Sequence, residues 1–163
     1  MAIDYQQTGV GSSLLDRLID HDPELQREAP ANSWEQMRQY KAALCRDLTA
    51  LLNTRRAEQD FDPVYEEAAN SLLSFGINDF TAYNLKSGAE QELVRRSIER
   101  AIRQFEPRLA GVEVSLEEPD PVRPELRFQI SALLRIEPAA EPVVFDATLR
   151  RESRRIAVSG GDS

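Results

Sequence analysis

At Pro107 the hydrophobic rhythm of this chain changes, and no other feature constrains its fold as much. Before Pro107 apolar residues recur at helical spacing; after it they alternate one by one. Val112, Val114 and Leu116 alternate with Glu113, Ser115 and Glu117. Leu126, Phe128, Ile130, Ala132, Leu134 and Ile136 alternate with Arg127, Gln129, Ser131 and Arg135. Val143, Phe145, Ala147 and Leu149 alternate with Val144, Asp146, Thr148 and Arg150. A period of two puts each apolar set on one face of a strand. Three such strands predict an antiparallel meander with one face to cover. Ile156 and Val158 add a short fourth strand or an exposed edge segment.

The cover comes from upstream. Ser13 to Asp16 reads as a helix start, with Leu14, Leu15, Leu18 and Ile19 as a short apolar face ended by Pro23. Ser33 with Gln36 forms a capping box for a second helix, on which Met37, Tyr40, Leu44, Leu48, Leu51 and Leu52 recur to about Asn53. Pro63 suits the first turn of a third helix through Leu72, Leu73 and Phe75, with Gly76 as its stop. The apolar stretch from Gly76 to Leu85 reads as a loop over the core. Ser87 with Glu90 caps a fourth helix. Its Val94, Ile98, Ala101, Ile102 and Phe105 form a buried stripe, while Arg95, Glu99, Arg100 and Arg103 face water. Pro107 ends it, because the residue before a proline is pushed out of the α region. Helices first and strands after predict an α+β fold: N-terminal helices packed on one face of a C-terminal antiparallel three- to four-stranded sheet. The expected organisation is a flexible N-terminus at 1–12, a single domain at 13–158 and a flexible C-terminus at 159–163.

Composition narrows the function. With 163 residues, 41% hydrophobic and 29% charged, the chain has material for one core and a solvated surface. No apolar run approaches the roughly 20 residues of a bilayer span, and Met1 to Thr8 does not read as a secretory signal. The lone Cys45 makes no internal disulfide and fits a reducing cytoplasm. A net charge of -8 disfavours nucleic acid as a partner. Arg150, Arg151, Arg154 and Arg155 nevertheless crowd the end of the chain, either as a solvated tail, the simpler reading, or as a docking patch for an acidic partner.

Catalytic material is thin. His21, between Asp20 and Asp22, reads as a solvated helix-end histidine, and Cys45 as a buried or partner-facing thiol without an activating base. No phosphate-binding glycine loop or zinc spacing occurs, so no cofactor or metal is expected. Glycoside hydrolysis needs two carboxylates about 5 to 9.5 Å apart, one with a raised pKa, and nothing singles out such a pair. The distinctive constellation is Glu106-Pro107-Arg108, where the proline fixes the backbone between an acceptor and a planar donor fork. Two readings stand: directional pairing with a partner, or a helix stop whose Glu106 pairs with Arg108 or Arg103. The residues alone favour the second.

Several segments taken in order carry a resemblance. They are Ser13-Leu-Leu-Asp-Arg-Leu18, Leu51-Leu-Asn-Thr-Arg55, Ser74-Phe-Gly-Ile-Asn-Asp-Phe80, Phe105-Glu-Pro-Arg-Leu109 and Val144-Phe-Asp-Ala-Thr-Leu149. Together they resemble the TssE family, type VI secretion relatives of the phage baseplate wedge protein historically labelled lysozyme-like. That family usually shows Tyr-Gly-Leu-Pro-Asp where this chain has Phe75-Gly76-Ile77-Asn78-Asp79, and asparagine for proline loosens a turn. Ala147 stands where threonine is also common. The resemblance implies a non-catalytic cytoplasmic baseplate component, assembled at the inner face of the cytoplasmic membrane without inserting into it. Its implied partners are the wedge subunits TssF, TssG and TssK and the sheath subunits TssB and TssC. It also implies that Glu106, Pro107 and Arg108 contact the wedge core and that a strand edge meets the first sheath ring. The candidates for that edge are Val143, Val144, Phe145 and Asp146 on through Arg150, and Ile156 to Val158, with the arginine cluster beside them. A muramidase and a stand-alone regulatory adaptor of the same fold are the competing readings.

Overall fold

A computed structural model of the protein describes residues 18, 33–56, 64–80, 83, 87–117, 125–136, 139–150 and 155–160. The helix expected at 13–19 lies outside these residues, Leu18 apart. The first described helix, α1 (Ser33–Asn53), runs over the span that its apolar spacing predicts, burying Met37, Leu44, Leu48, Leu51 and Leu52. A short α2 (Glu66–Ala69) and a 3-10 turn (Leu72–Ser74) follow, then α3 (Gly88–Phe105). Four strands complete the domain: β1 (Leu109–Leu116), β2 (Glu125–Leu134), β3 (Glu141–Arg150) and β4 (Arg155–Gly160). They form one antiparallel sheet in the order β1-β2-β3-β4.

The apolar face of the sheet carries the alternating residues read from the sequence. Phe128 stands opposite Ala147, and Ala132 opposite Val143, so large side chains meet small ones across the β2–β3 ladder. α3 packs over β1 and α1 over β4, and the two helices touch, so one helical layer closes one face. Phe128, Ile130, Leu134 and Phe145 are shut off from solvent beneath that layer. Truncating either phenylalanine would cost about 3–5 kcal/mol.

Two expectations for the helices are corrected. The single helix predicted through Phe75 is broken at Ser71, whose hydroxyl accepts from the Leu73 N–H and donates to the Ala68 carbonyl. A side chain that satisfies the backbone locally competes with helix continuation. Leu72 and Leu73 are therefore exposed, at 82% and 59%, instead of facing the core. Ser87 does begin α3, but through its carbonyl, which accepts from Gln91; its hydroxyl makes no capping bond.

Gly76 has another task than stopping a helix. The Ile77 N–H donates to the Thr54 carbonyl at 2.9 Å and the Arg56 N–H to the Ile77 carbonyl at 2.8 Å, a short parallel strap from the end of α1 to the segment before α3. At Gly76, φ is +107°, and an added Cβ would stand 2.3 Å from the Thr54 carbonyl oxygen. Only glycine fits there. An Arg55–Asp79 ion pair at 3.0 Å flanks the strap.

Candidate functional site

The corner between α3 and β1 is built from Glu106, Pro107 and Arg108. Glu106 closes the helix by donating its N–H to the Ile102 carbonyl, and its own carbonyl accepts from Leu109. Its side chain is buried at 5% exposure. The Arg108 fork grips it, Nε to Oε1 at 2.6 Å and Nη2 to Oε2 at 2.5 Å, and the Arg108 N–H adds a bond at 3.2 Å. The same Nη2 reaches Asp47 on α1 at 2.7 Å, and the guanidinium lies 5.7 Å from the centre of the Tyr40 ring. The bonds to Glu106, and then those to Asp47, hold the Arg108 pKa above its ordinary value. One arginine thus ties helix end, strand start and α1 together.

This geometry corrects one expectation. Glu106 does not hold its carboxylate out to a partner, because both oxygens are occupied by Arg108, the pairing that the simpler reading of the motif anticipates. The parts of the corner that reach the surface are Pro107, which is exposed, and the partly exposed Arg108. Asp47, missed by sequence reasoning, completes the brace. Its only signal was an acid on the polar side of α1.

The sheet margins bring a second correction. β3 is an interior strand, paired with β2 along its length and with β4 from Phe145 to Arg150. Val143 and Phe145 are core residues, and Val144 and Asp146 lie on the face away from the helices. From Phe145 to Arg150 the expected edge is therefore paired on both sides, while Val143 and Val144 have no β4 partner among the described residues; the outer strands are β1 and β4. Arg150 pairs with Arg155 at the β3–β4 turn, Arg155 is exposed, and Arg151 and Arg154 lie outside the described residues.

The β1 margin is bonded by its own chain at Val112 and Val114. Glu99 accepts from the outward Val114 N–H at 3.0 Å, and Arg103 donates to the Val112 carbonyl at 2.6 Å. Arg95 fixes Glu99 in turn at 2.5 Å. Beside them the register slips by one residue between Ala110 and Glu113, with Gly111 at φ +59°, a bulge that turns an edge away from further pairing. Glu99, expected in water, is 8% exposed. Its signal was faint: an acid four residues from both Arg95 and Arg103.

The β4 margin is closed over one residue. The Asn53 side chain accepts from the Ile156 N–H at 2.9 Å and donates to its carbonyl at 2.7 Å. An antiparallel ladder alternates inward and outward backbone groups, so those of Val158 share the outward parity of Ile156. No described residue takes them.

Among the described residues no cluster of His, Cys, Asp or Glu is arranged to hold a metal, and no helix is long and apolar enough to cross a membrane. A cleft between α3 and the segment from Ser74 to Asn78 is lined by Arg56, Arg96 and Arg100 and by no acid.

Residues 38–139 match the family described as baseplate wedge protein gp25. A chain from the structure of "The baseplate complex from the type VI secretion system" is similar over 66% of this chain and 94% of its own, at 14% identity and a TM-score of 0.43. Comparison with curated proteins finds no match.

Proposed function

This chain belongs to the baseplate wedge protein gp25 family, and from that premise we propose that it is a structural, non-catalytic component of a type VI secretion baseplate that joins the wedge core to the first ring of the contractile sheath. The type VI assignment draws on the ordered motifs from Ser13 to Leu149. The observation that carries the joining role is the asymmetry of the sheet. Its β1 margin is bolted by Glu99, Arg103 and a bulge, whereas β4 keeps the outward backbone of Val158 without a partner among the described residues.

A strand laid along β4 gains main-chain hydrogen bonds for affinity and side-chain alternation for register. TssB or TssC of the sheath is the partner for that margin. At the other end of the domain, Pro107 and the exposed part of Arg108 face the wedge subunits TssF, TssG and TssK, with Glu106 holding the arginine in position. The assembly is cytoplasmic, at the inner face of the cytoplasmic membrane.

The test is Val158→Pro. Proline removes one outward N–H and is tolerated on an edge strand; Val158 also packs against the core, so the variant should stay folded with a somewhat lower thermal transition. It should lose sheath subunits in a pull-down while retaining TssF, TssG and TssK. Recovery of TssB and TssC at the parent's level would overturn the β4 assignment.

A further inference from the structure

The cleft between α3 and the Ser74–Asn78 segment belongs neither to the Glu106–Arg108 brace nor to the β4 margin. It holds about 180 Å³ and opens to solvent. Its character runs against the chain as a whole: in a protein of net charge -8, three arginines converge on it and, among the described residues, no carboxylate lines it. Arg96 is held by Glu92 at 2.7 Å. Arg56 and Arg100 have no ion-pair partner among the described residues. Arg56 is anchored by its backbone, which the Gly76 strap clamps at 2.8 Å to the Ile77 carbonyl. Arg100 rises from α3, whose opposite face is in the core. Both guanidiniums thus stand on rigid backbone, and no described residue takes their donors. Ser74, in the wall of the cleft, directly follows the exposed Leu72 and Leu73.

We infer that this cleft is a docking site for an acidic peptide segment of a partner protein, whose carboxylates pair with Arg56 and Arg100 and whose apolar residues lie on Leu72 and Leu73. Guanidinium forks match carboxylates in two-point geometry. The adjoining leucines favour a polypeptide, which carries apolar side chains beside its charges, over a bare anion or a phosphate polymer. The net charge of the chain repels an acidic ligand over most of its surface, and the cleft gathers arginines away from the cluster at Arg150 to Arg155.

Fluorescence anisotropy with labelled hexaglutamate as probe, at low and at moderate ionic strength, tests the site on the whole protein. The parent should bind saturably at one site, with affinity falling as salt rises. The double variant Arg56→Gln, Arg100→Gln should bind about tenfold more weakly or worse. Neither side chain has an ion-pair partner to lose among the described residues, so the variant should melt with the parent. Arg127→Gln, on β2, should bind as the parent does. Equal binding by parent and double variant overturns the proposal, as does absence of binding by the parent. Tighter binding of a labelled oligothymidylate of equal charge would replace the peptide with a nucleic acid and overturns it equally. The outcome is independent of the β4 margin, because Val158→Pro leaves this cleft intact.

Discussion

Replacing Arg108 with alanine strips the Glu106 carboxylate of the two bonds that compensate it, while the glutamate remains 5% exposed. Removing one partner of a buried ion pair costs about 3–5 kcal/mol. The lower end applies here, because the Arg108 side chain is 22% exposed and water can enter where it leaves. Arg108→Ala should therefore cost about 3 kcal/mol, or about 6–12 °C in Tm for a domain of this size. Glu106→Ala should cost less, about 2 kcal/mol, because Arg108 keeps Asp47 at 2.7 Å and partial hydration. In the double variant neither charge is orphaned, so its loss should stay near that of Arg108→Ala, a coupling of about 2 kcal/mol. Urea unfolding followed by far-UV circular dichroism measures all three; Trp34 fluorescence is a poor reporter because that residue is 70% exposed in the native fold. Additive effects, with each single variant within about 0.5 kcal/mol of the parent, would refute the brace. The outcome governs how any assembly defect of these variants is interpreted, since a loosened corner and a lost contact both reduce incorporation.

Gly76→Ala forces a Cβ to 2.3 Å from the Thr54 carbonyl at φ +107°. Strain and clash together should cost about 3 kcal/mol or more, and a urea midpoint that implies less than about 1 kcal/mol would refute the strap. Glu92, partly exposed, is held by hydrogen bonds from Arg95 and then Arg96, which lower its pKa from 4.5 to about 2. A lowered folded pKa means that its contribution is present above the unfolded value and lost as pH falls through about 2. An NMR titration should place the midpoint there, with Arg96→Ala moving it back toward 4.5. A midpoint indifferent to Arg96 would sink the assignment.

The rhythm change at Pro107 was enough to read the α+β order and the inward face of every strand, because period and burial follow directly from backbone geometry. Strand order within a meander leaves no such trace. Val143–Arg150 and Ile156–Val158 look equally fit for an edge until pairing makes one of them interior. Glu99 was illegible for a related reason. Its neighbours Arg95, Arg100 and Arg103 mark a polar helix face, and only the strand packed beneath turns that face into the partner of an unpaired N–H. Ser71 and Asn53 show the same limit at smaller scale, since a polar side chain is assigned to water until a backbone group is found within its reach. Glu106-Pro107-Arg108 was legible as a distinctive motif, and its internal pairing was among the readings its residues allowed.

The two margins of the sheet are treated by opposite physical means. On β1 a buried charge network and a bulge are set against pairing, at the expense of placing Glu99 out of water, a cost that its bonds to Arg95 and Val114 offset. On β4 a neutral amide satisfies one residue and the ladder then runs on without cover. A lone globule gains nothing from such asymmetry, because both edges carry the same aggregation hazard. Under the proposed joining role, the difference directs a neighbouring strand to β4. The corner brace bears on both margins, since Arg108 fixes α1 and the end of α3 to the start of β1 and thereby sets the helical layer over the sheet.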